Sequence, residues 1–331
     1  TWFLMAGKAF STFSLLFGLS FFIQCTNAER RGVAFRGRFV WRMFLLFLFS
    51  QLHALFYNGD ILLVYAVCSL FVIPLIRQSN KVLFAAAIFF ALQPIELVYI
   101  VLGLLNPELT PLYLGSNEAY GAIMPQQING SFFDVAWVSL KYGIPANFTW
   151  AIENGRFTQT IFLFITGIIL GRYRYLYDEG NNRLRWKKTM LYSLIGFAVF
   201  YPLYTYIPGM VNNVCASHSL GVMLKAWMNL CMMLFYVSGI TWLYHCTKAG
   251  KKLIVIAPYG KMSLTNYMTQ SIFGCMLFYG WGFGLYQYCG HTASLLLGIA
   301  FVGLQYLFCC WWLKNHKRGP FEELWRKATW I

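Results

Sequence analysis

Apolar stretches of membrane-crossing length recur along the chain, separated by mostly short polar connections. They fall at 8–25, 39–57, 61–76, 82–105, 156–170, 189–207, 221–246, 262–280 and 293–313. A spanning helix needs roughly 20 mostly apolar residues, so the pattern predicts nine transmembrane helices, of which the third and fifth are short. The expected fold is all-α: a polytopic transmembrane helix bundle, forming a single transmembrane domain over residues 1–331. The long interruption at about 106–155 is punctuated by Pro107, Pro111, Pro125 and Pro145. Its aromatic run from Phe132 to Leu140 predicts a short helix at an interface, where such rings are at home. The interruption as a whole reads as a cap on the outer face.

Composition agrees with this pattern. The 331 residues are 59% hydrophobic and 11% charged, whereas a soluble domain carries about 25% charged residues. Segments 29–42, 77–81, 171–188, 247–261 and the tail at 314–331 hold most of the 26 Lys and Arg residues, and alternation of nine spans puts these segments on one side. Basic loops mark the cytoplasmic face, which predicts a cytoplasmic C-terminal tail and places Thr1 near the outer face. An outward start without an initiator Met predicts one more span upstream, about ten in the complete protein. The net charge of +15 then serves topology and attraction to membrane lipids. No nucleic acid is implied, because the basic residues flank spans instead of covering a soluble face.

Chemistry is narrower. Nothing in the chain matches a nucleophile elbow, a phosphate loop, a dinucleotide fingerprint or an HExxH helix. The nine cysteines show no metal-ligand spacing, and no metal site is expected. Cys215 and Cys289 lie in outer loops and are the pair an oxidising space would join.

What remains are polar side chains inside apolar spans, which usually face a bundle interior or a wet cavity. His53 lies seven residues before Asp60, close to two helical turns, so the pair shares a face if the helix continues. His53 reads as a base or as an interhelical hydrogen-bonding group; Asp60 reads as its partner or as the N-cap of the third span. Glu96 is a lone carboxylate that must be paired or neutralised, with Lys225 and Arg156 as the favoured partners. Lys225 reads equally as a snorkelling side chain, and Lys8 more readily so. Asn266 and Gln270, one turn apart, read as ligands or as interhelical glue. Together these positions sketch a polar funnel open to the outside, with His53 and Asp60 as catalytic candidates and Glu96, Arg156, Lys225, Asn266 and Gln270 lining it.

Several strings taken together resemble the YeiB-like family of bacterial inner-membrane proteins, a domain of unknown function. They are Gly260-Lys261-Met262-Ser263-Leu264-Thr265-Asn266-Tyr267-Met268-Thr269-Gln270-Ser271, then Phe278-Tyr279-Gly280 with Gly284-Leu285. The tail adds Trp312-Leu313 and Gly319-Pro320-Phe321-Glu322-Glu323-Leu324-Trp325-Arg326. Upstream stand Phe13-Ser14-Leu15-Leu16-Phe17-Gly18, His53 with Gly59-Asp60-Ile61-Leu62, and Tyr65-Ala66. The resemblance implies a bacterial plasma membrane location and kinship with integral-membrane acyltransferases that modify envelope molecules. It also allows an acyl-CoA donor, although the residues themselves imply no cofactor. On this reading His53 acts as general base and Asp60 orients it. The competing readings are a transporter or exporter of a small solute or lipid, driven through Glu96 and Lys225, and a non-catalytic membrane scaffold. The sequence leaves the oligomeric state open.

Overall fold

The structure is a computed structural model that describes residues 7–32 and 35–329. Thr1, expected near the outer face, lies outside them. No strand occurs among the described residues, in agreement with the all-α expectation.

The count of spans is corrected. Among the described residues, four helices are long and apolar enough to cross a membrane: Lys8–Arg30, Asn182–Met210, Val214–Cys246 and His291–Asn315. A fifth is made if the bent pair Asn80–Ala91 and Pro94–Leu105 is taken as one span. The nine expected spans fail on length and charge. Leu62–Val72 continues only as a 3₁₀ turn to Leu75. Arg156–Arg172 has 17 residues and Ser263–Phe278 has 16, about 24 Å for the latter at 1.5 Å per residue, short of the roughly 30 Å hydrocarbon core. Phe35–Ala54 reaches 20 residues, but Arg36, Arg38 and Arg42 occupy its first turns.

The chain divides into two compact units. The first comprises Thr1–Gly37, Val64–Leu114 and Ala151–Lys252. Within it, Lys8–Arg30 and Arg156–Arg172 meet backbone to backbone, because a Cβ on Gly18 would lie 2.6 Å from Phe164 Cα. Small residues permit this approach: Ser11 and Ser14 are fully buried in the same helix. Leu15, Leu163 and Met233 form the apolar centre beside them. Asn182–Met210 and Val214–Cys246 pack along one another. The turn between them ends at Asn213, whose Oδ1 accepts from Ala216 N at 2.7 Å and caps the second helix.

The second unit comprises Arg38–Leu63, Gly115–Trp150 and Leu253–Ile331. The interruption read as an outer cap is largely helical, with Ser116–Asn129, Phe132–Val138 and a π-turn at Ser139–Gly143. Ser131 and Asp134 form a reciprocal capping box at the start of the aromatic helix. The closing signature of the chain has a structural role in this unit. Glu322 accepts from Thr265 N at 2.9 Å and from Thr265 Oγ1 at 2.5 Å, which ties helix Pro320–Thr329 to the first turn of Ser263–Phe278. Trp325 Nε1 donates to Arg42 C=O at 3.1 Å, and the Arg42 guanidinium lies 4.3 Å from the centre of that indole ring. All nine cysteines carry free thiols, Cys215 and Cys289 included.

Candidate functional site

The candidate residues divide between the two units: His53, Asp60, Asn266 and Gln270 in the second, Glu96, Arg156 and Lys225 in the first.

His53 occupies the last turn of Phe35–Ala54. The helix does not continue to Asp60, so the two-turn spacing is not what joins them. The chain leaves the helix after Ala54 and returns through Tyr57, Asn58 and Gly59. Gly59 has no room for a side chain, since a Cβ there would lie 2.6 Å from Tyr57 Oη. This turn brings Asp60 Oδ1 to 3.0 Å from His53 Nδ1, with the two residues 0% and 2% exposed.

Asp60 is anchored at both carboxylate oxygens and at its backbone carbonyl. Oδ1 also accepts from Tyr267 Oη at 2.8 Å, and Oδ2 accepts from Leu63 N at 3.3 Å, capping the helix Leu62–Val72. Its carbonyl accepts from Asn147 Nδ2 at 2.6 Å. Tyr267 is fixed in turn, because Ile61 N donates to its oxygen at 3.1 Å. The two sequence readings of Asp60, partner of His53 and helix cap, are therefore both realised, on different oxygens.

A carboxylate that accepts at Nδ1 selects the imidazole tautomer whose lone pair sits on Nε2. His53 Nε2 is buried and makes no hydrogen bond among the described residues. The Tyr267 and Tyr57 rings flank the imidazole at 5.0 and 5.9 Å between centroids. Asn58, 5% exposed, leaves both amide atoms without a partner, as does the Ser139 hydroxyl. The π-turn that carries Ser139 presses on Asn58, since a Cβ on Gly143 would lie 2.8 Å from Asn58 Cγ; π-turns recur at functional sites. Tyr120 donates to Asn58 C=O at 3.4 Å, and burial raises its phenol to about 12, so it stays a donor near neutrality.

Asn266 and Gln270 are placed elsewhere in this unit. Asn266 Nδ2 donates to Tyr259 C=O at 2.9 Å and to Cys309 Sγ at 3.3 Å, and its carbonyl accepts from Gln305. It joins helices, as the glue reading expected. Gln270 is exposed. No group of three His, Cys, Asp or Glu side chains suited to a metal converges among the described residues.

In the first unit, Glu96 stands in the first turn of Pro94–Leu105, after Gln93 at φ 53°. The expected ion pair with Lys225 or Arg156 is not formed. The Ser219 hydroxyl lies beside Glu96, and the helix N-terminus supplies the favourable partial charge that a cation was expected to give. Arg156 opens its helix with NH1 donating to Gln159 Oε1 at 2.9 Å and its guanidinium 4.9 Å from the Phe10 ring centre. Gln159 Nε2 continues to Ser11 Oγ at 3.4 Å. Lys225 is exposed. Lys8, read as snorkelling, is instead only 4% exposed.

The sequence reading passed over Tyr267, Asn147 and Asn58. Tyr267 lies within the strongest family string, next to Asn266, but an aromatic residue in an apolar span gives no sign that its hydroxyl meets a carboxylate. Asn147 lies in the interruption at about 106–155, where nothing in the residues marks its amide as a partner of Asp60.

Residues 170–331 match a family described as "Protein of unknown function (DUF418)". The chain is 28% identical to the "Uncharacterized protein YxaH" of Bacillus subtilis (strain 168), over 99% of this chain and 81% of that protein. It is 26% identical to an "Uncharacterized 39.9 kDa protein in amylase 3'region" of Bacillus acidopullulyticus, with the same coverage. A stretch of 79 residues, 24% of this chain and 20% of the relative, is 35% identical to the "Uncharacterized protein YeiB" of Escherichia coli (strain K12). No solved structure matches.

Proposed function

Taking as premise that this chain is a YeiB-like protein of unknown function, we propose that it is a membrane-embedded acyltransferase-like enzyme that modifies an envelope molecule. We place it in the bacterial plasma membrane with the tail at 314–331 in the cytoplasm. The observation that carries this reading is the His53–Asp60 pair: a fully buried imidazole, oriented through Nδ1 and presenting Nε2 without a partner. That arrangement suits a general base.

In the proposed step, Nε2 takes the proton of an acceptor hydroxyl or amine while the acceptor atom attacks the acyl carbonyl of a thioester such as acyl-CoA. The new C–O or C–N bond forms, the C–S bond breaks, and the proton passes from His53 to the departing thiolate. Asp60 supports the imidazolium formed in between. Kinship with integral-membrane acyltransferases, implied by the motif strings, supports the choice of reaction.

The test is transfer of label from radiolabelled acetyl-CoA to an endogenous envelope fraction in membrane vesicles containing the protein. Wild-type vesicles should transfer label, and His53→Ala vesicles with equal protein should lose about 10²- to 10⁴-fold. Full activity in His53→Ala removes His53 from the chemistry.

One observation favours the transporter reading: the bent pair Asn80–Ala91 and Pro94–Leu105, broken by 43° next to Glu96. Discontinuous helices often line solute sites. Solute flux in proteoliposomes that depends on Glu96 and needs no acyl donor would select this alternative.

A further inference from the structure

In the second unit, the membrane-length helix His291–Asn315 is followed by a short turn and then by the helix Pro320–Thr329. Their ends and the turn line a cavity of about 540 Å³. Small-ligand sites commonly measure roughly 300–1,000 Å³. Its walls are held in place. Trp312 Nε1 donates to Arg318 C=O at 2.9 Å and closes the turn, and the Trp312 and His316 rings stack at 4.0 Å between centroids. Glu322 and Trp325 tie down the second helix through Thr265 and Arg42.

The lining is cationic. Lys317 and Arg318 come from the turn, Arg326 and Lys327 from the last turn of Pro320–Thr329. Among the described residues Glu323 is the one carboxylate that lines the cavity, and it lies 3.7 Å from Arg318. Lys317, Arg326 and Lys327 make no ion pair among the described residues. A cleft lined by one sign of charge concentrates ions of the other. Guanidinium forks beside ammonium point charges suit a phosphate.

A second feature tells which phosphate. Leu304, Leu307, Phe308 and Trp311 are exposed although large and apolar, and their spacing puts them on one face of His291–Asn315. Four residues on, the same face reaches Asn315, which lines the cavity. An apolar stripe along a membrane-length helix therefore runs into a cationic cavity at the helix end, the depth at which lipid headgroups lie.

We infer that this surface is a binding site for an anionic phospholipid, with the phosphate among Lys317, Arg318, Arg326 and Lys327 and an acyl chain along the stripe. The inference rests on the membrane placement proposed above and not on the acyl-transfer chemistry.

The test is native mass spectrometry of the whole protein released from an uncharged detergent, titrated with phosphatidylglycerol or phosphatidylcholine of equal chain length. Wild type should take up one phosphatidylglycerol about tenfold more tightly than phosphatidylcholine. Lys317→Gln/Lys327→Gln should abolish that preference and Lys317→Arg/Lys327→Arg should keep it, which separates lost charge from misfolding. Lys251→Gln/Lys252→Gln removes the same charge from another basic segment and should change nothing. Glycerol 3-phosphate, a head without tails, should displace the lipid only at concentrations about a hundredfold higher or more. Equal binding of the two lipids by wild type overturns the inference. So does a preference kept in the glutamine pair at 317 and 327, lost in the arginine pair, or lost equally in the pair at 251 and 252. Displacement by glycerol 3-phosphate at matching concentration assigns the cavity to a soluble phosphate and overturns the lipid assignment. His53→Ala should keep the preference even where transfer is lost, so the two proposals fail separately.

Discussion

Each compact unit buries a carboxylate at the start of a helix, and the two are treated in opposite ways. Asp60 precedes Leu62–Val72 and spends both oxygens on a histidine, a tyrosine and a backbone N–H. Glu96, in the first turn of Pro94–Leu105, has a serine hydroxyl and the helix end. A group pinned from four directions, its own carbonyl included, can fix the geometry of a neighbour. Among the described residues Glu96 has no such set of partners, only the Ser219 hydroxyl nearby and the helix end. The difference separates a carboxylate fixed by several partners from one that is not.

The comparison can be broken most sharply at Asp60. Asp60→Asn keeps an oxygen for Leu63 N but offers His53 a weaker, neutral partner, and label transfer should fall about 10²- to 10⁴-fold while the unfolding temperature changes little. Asp60→Ala should lose the same activity and, through the missing cap, about 1 kcal/mol of stability besides, read from thermal unfolding in detergent. Equal activity in Asp60→Asn and wild type would end the orienting role.

Tyr267→Phe removes the hydroxyl that links Ile61 N to Asp60. It should cost about 1–3 kcal/mol, because a buried N–H loses its acceptor, and transfer should fall less than in Asp60→Asn. Glu96→Gln sharpens the other side. An amide keeps the shape of the side chain beside the Ser219 hydroxyl, so stability should change by less than about 1 kcal/mol. A loss as large as that of Asp60→Ala would show that Glu96 is pinned after all.

The smallest effect concerns Asp134, outside the spans. Its side chain accepts from the Ser131 hydroxyl and backbone N–H, which holds the carboxyl below its usual range. A depressed folded-state value gives stability that is present above the unfolded value and lost as pH falls through the folded one. Amide exchange in Phe132–Val138 should therefore stay slow near neutral pH and rise only below the ordinary aspartate range, after correction for intrinsic rates. Ser131→Ala should remove that dependence.

Much of this was legible in the residues. Helical class follows from apolar run lengths, and a short helix does run from Phe132 to Val138. The span count was not legible, because hydropathy does not register where a helix stops: Ala54 and Ala91 end helices inside continuous apolar runs. The His53–Asp60 contact was anticipated for the wrong reason, since a turn at Gly59 and not a continuing helix closes it. Tyr267 and Asn147 were invisible because their partners lie 207 and 87 residues away. The Glu96 pairing failed because charge complementarity suggests a cation, whereas a helix end and a serine already serve.

The central claim is that His53 Nε2 removes a proton from an envelope acceptor. Its most direct test is mass spectrometry of envelope extracts from cells that lack the protein, complemented with wild type or with His53→Ala at matched membrane levels. Wild-type cells should contain a species heavier by one acyl group that is absent from the His53→Ala extract. The same acylated species at wild-type abundance in His53→Ala cells, or no acylated species that depends on the protein at all, would contradict it.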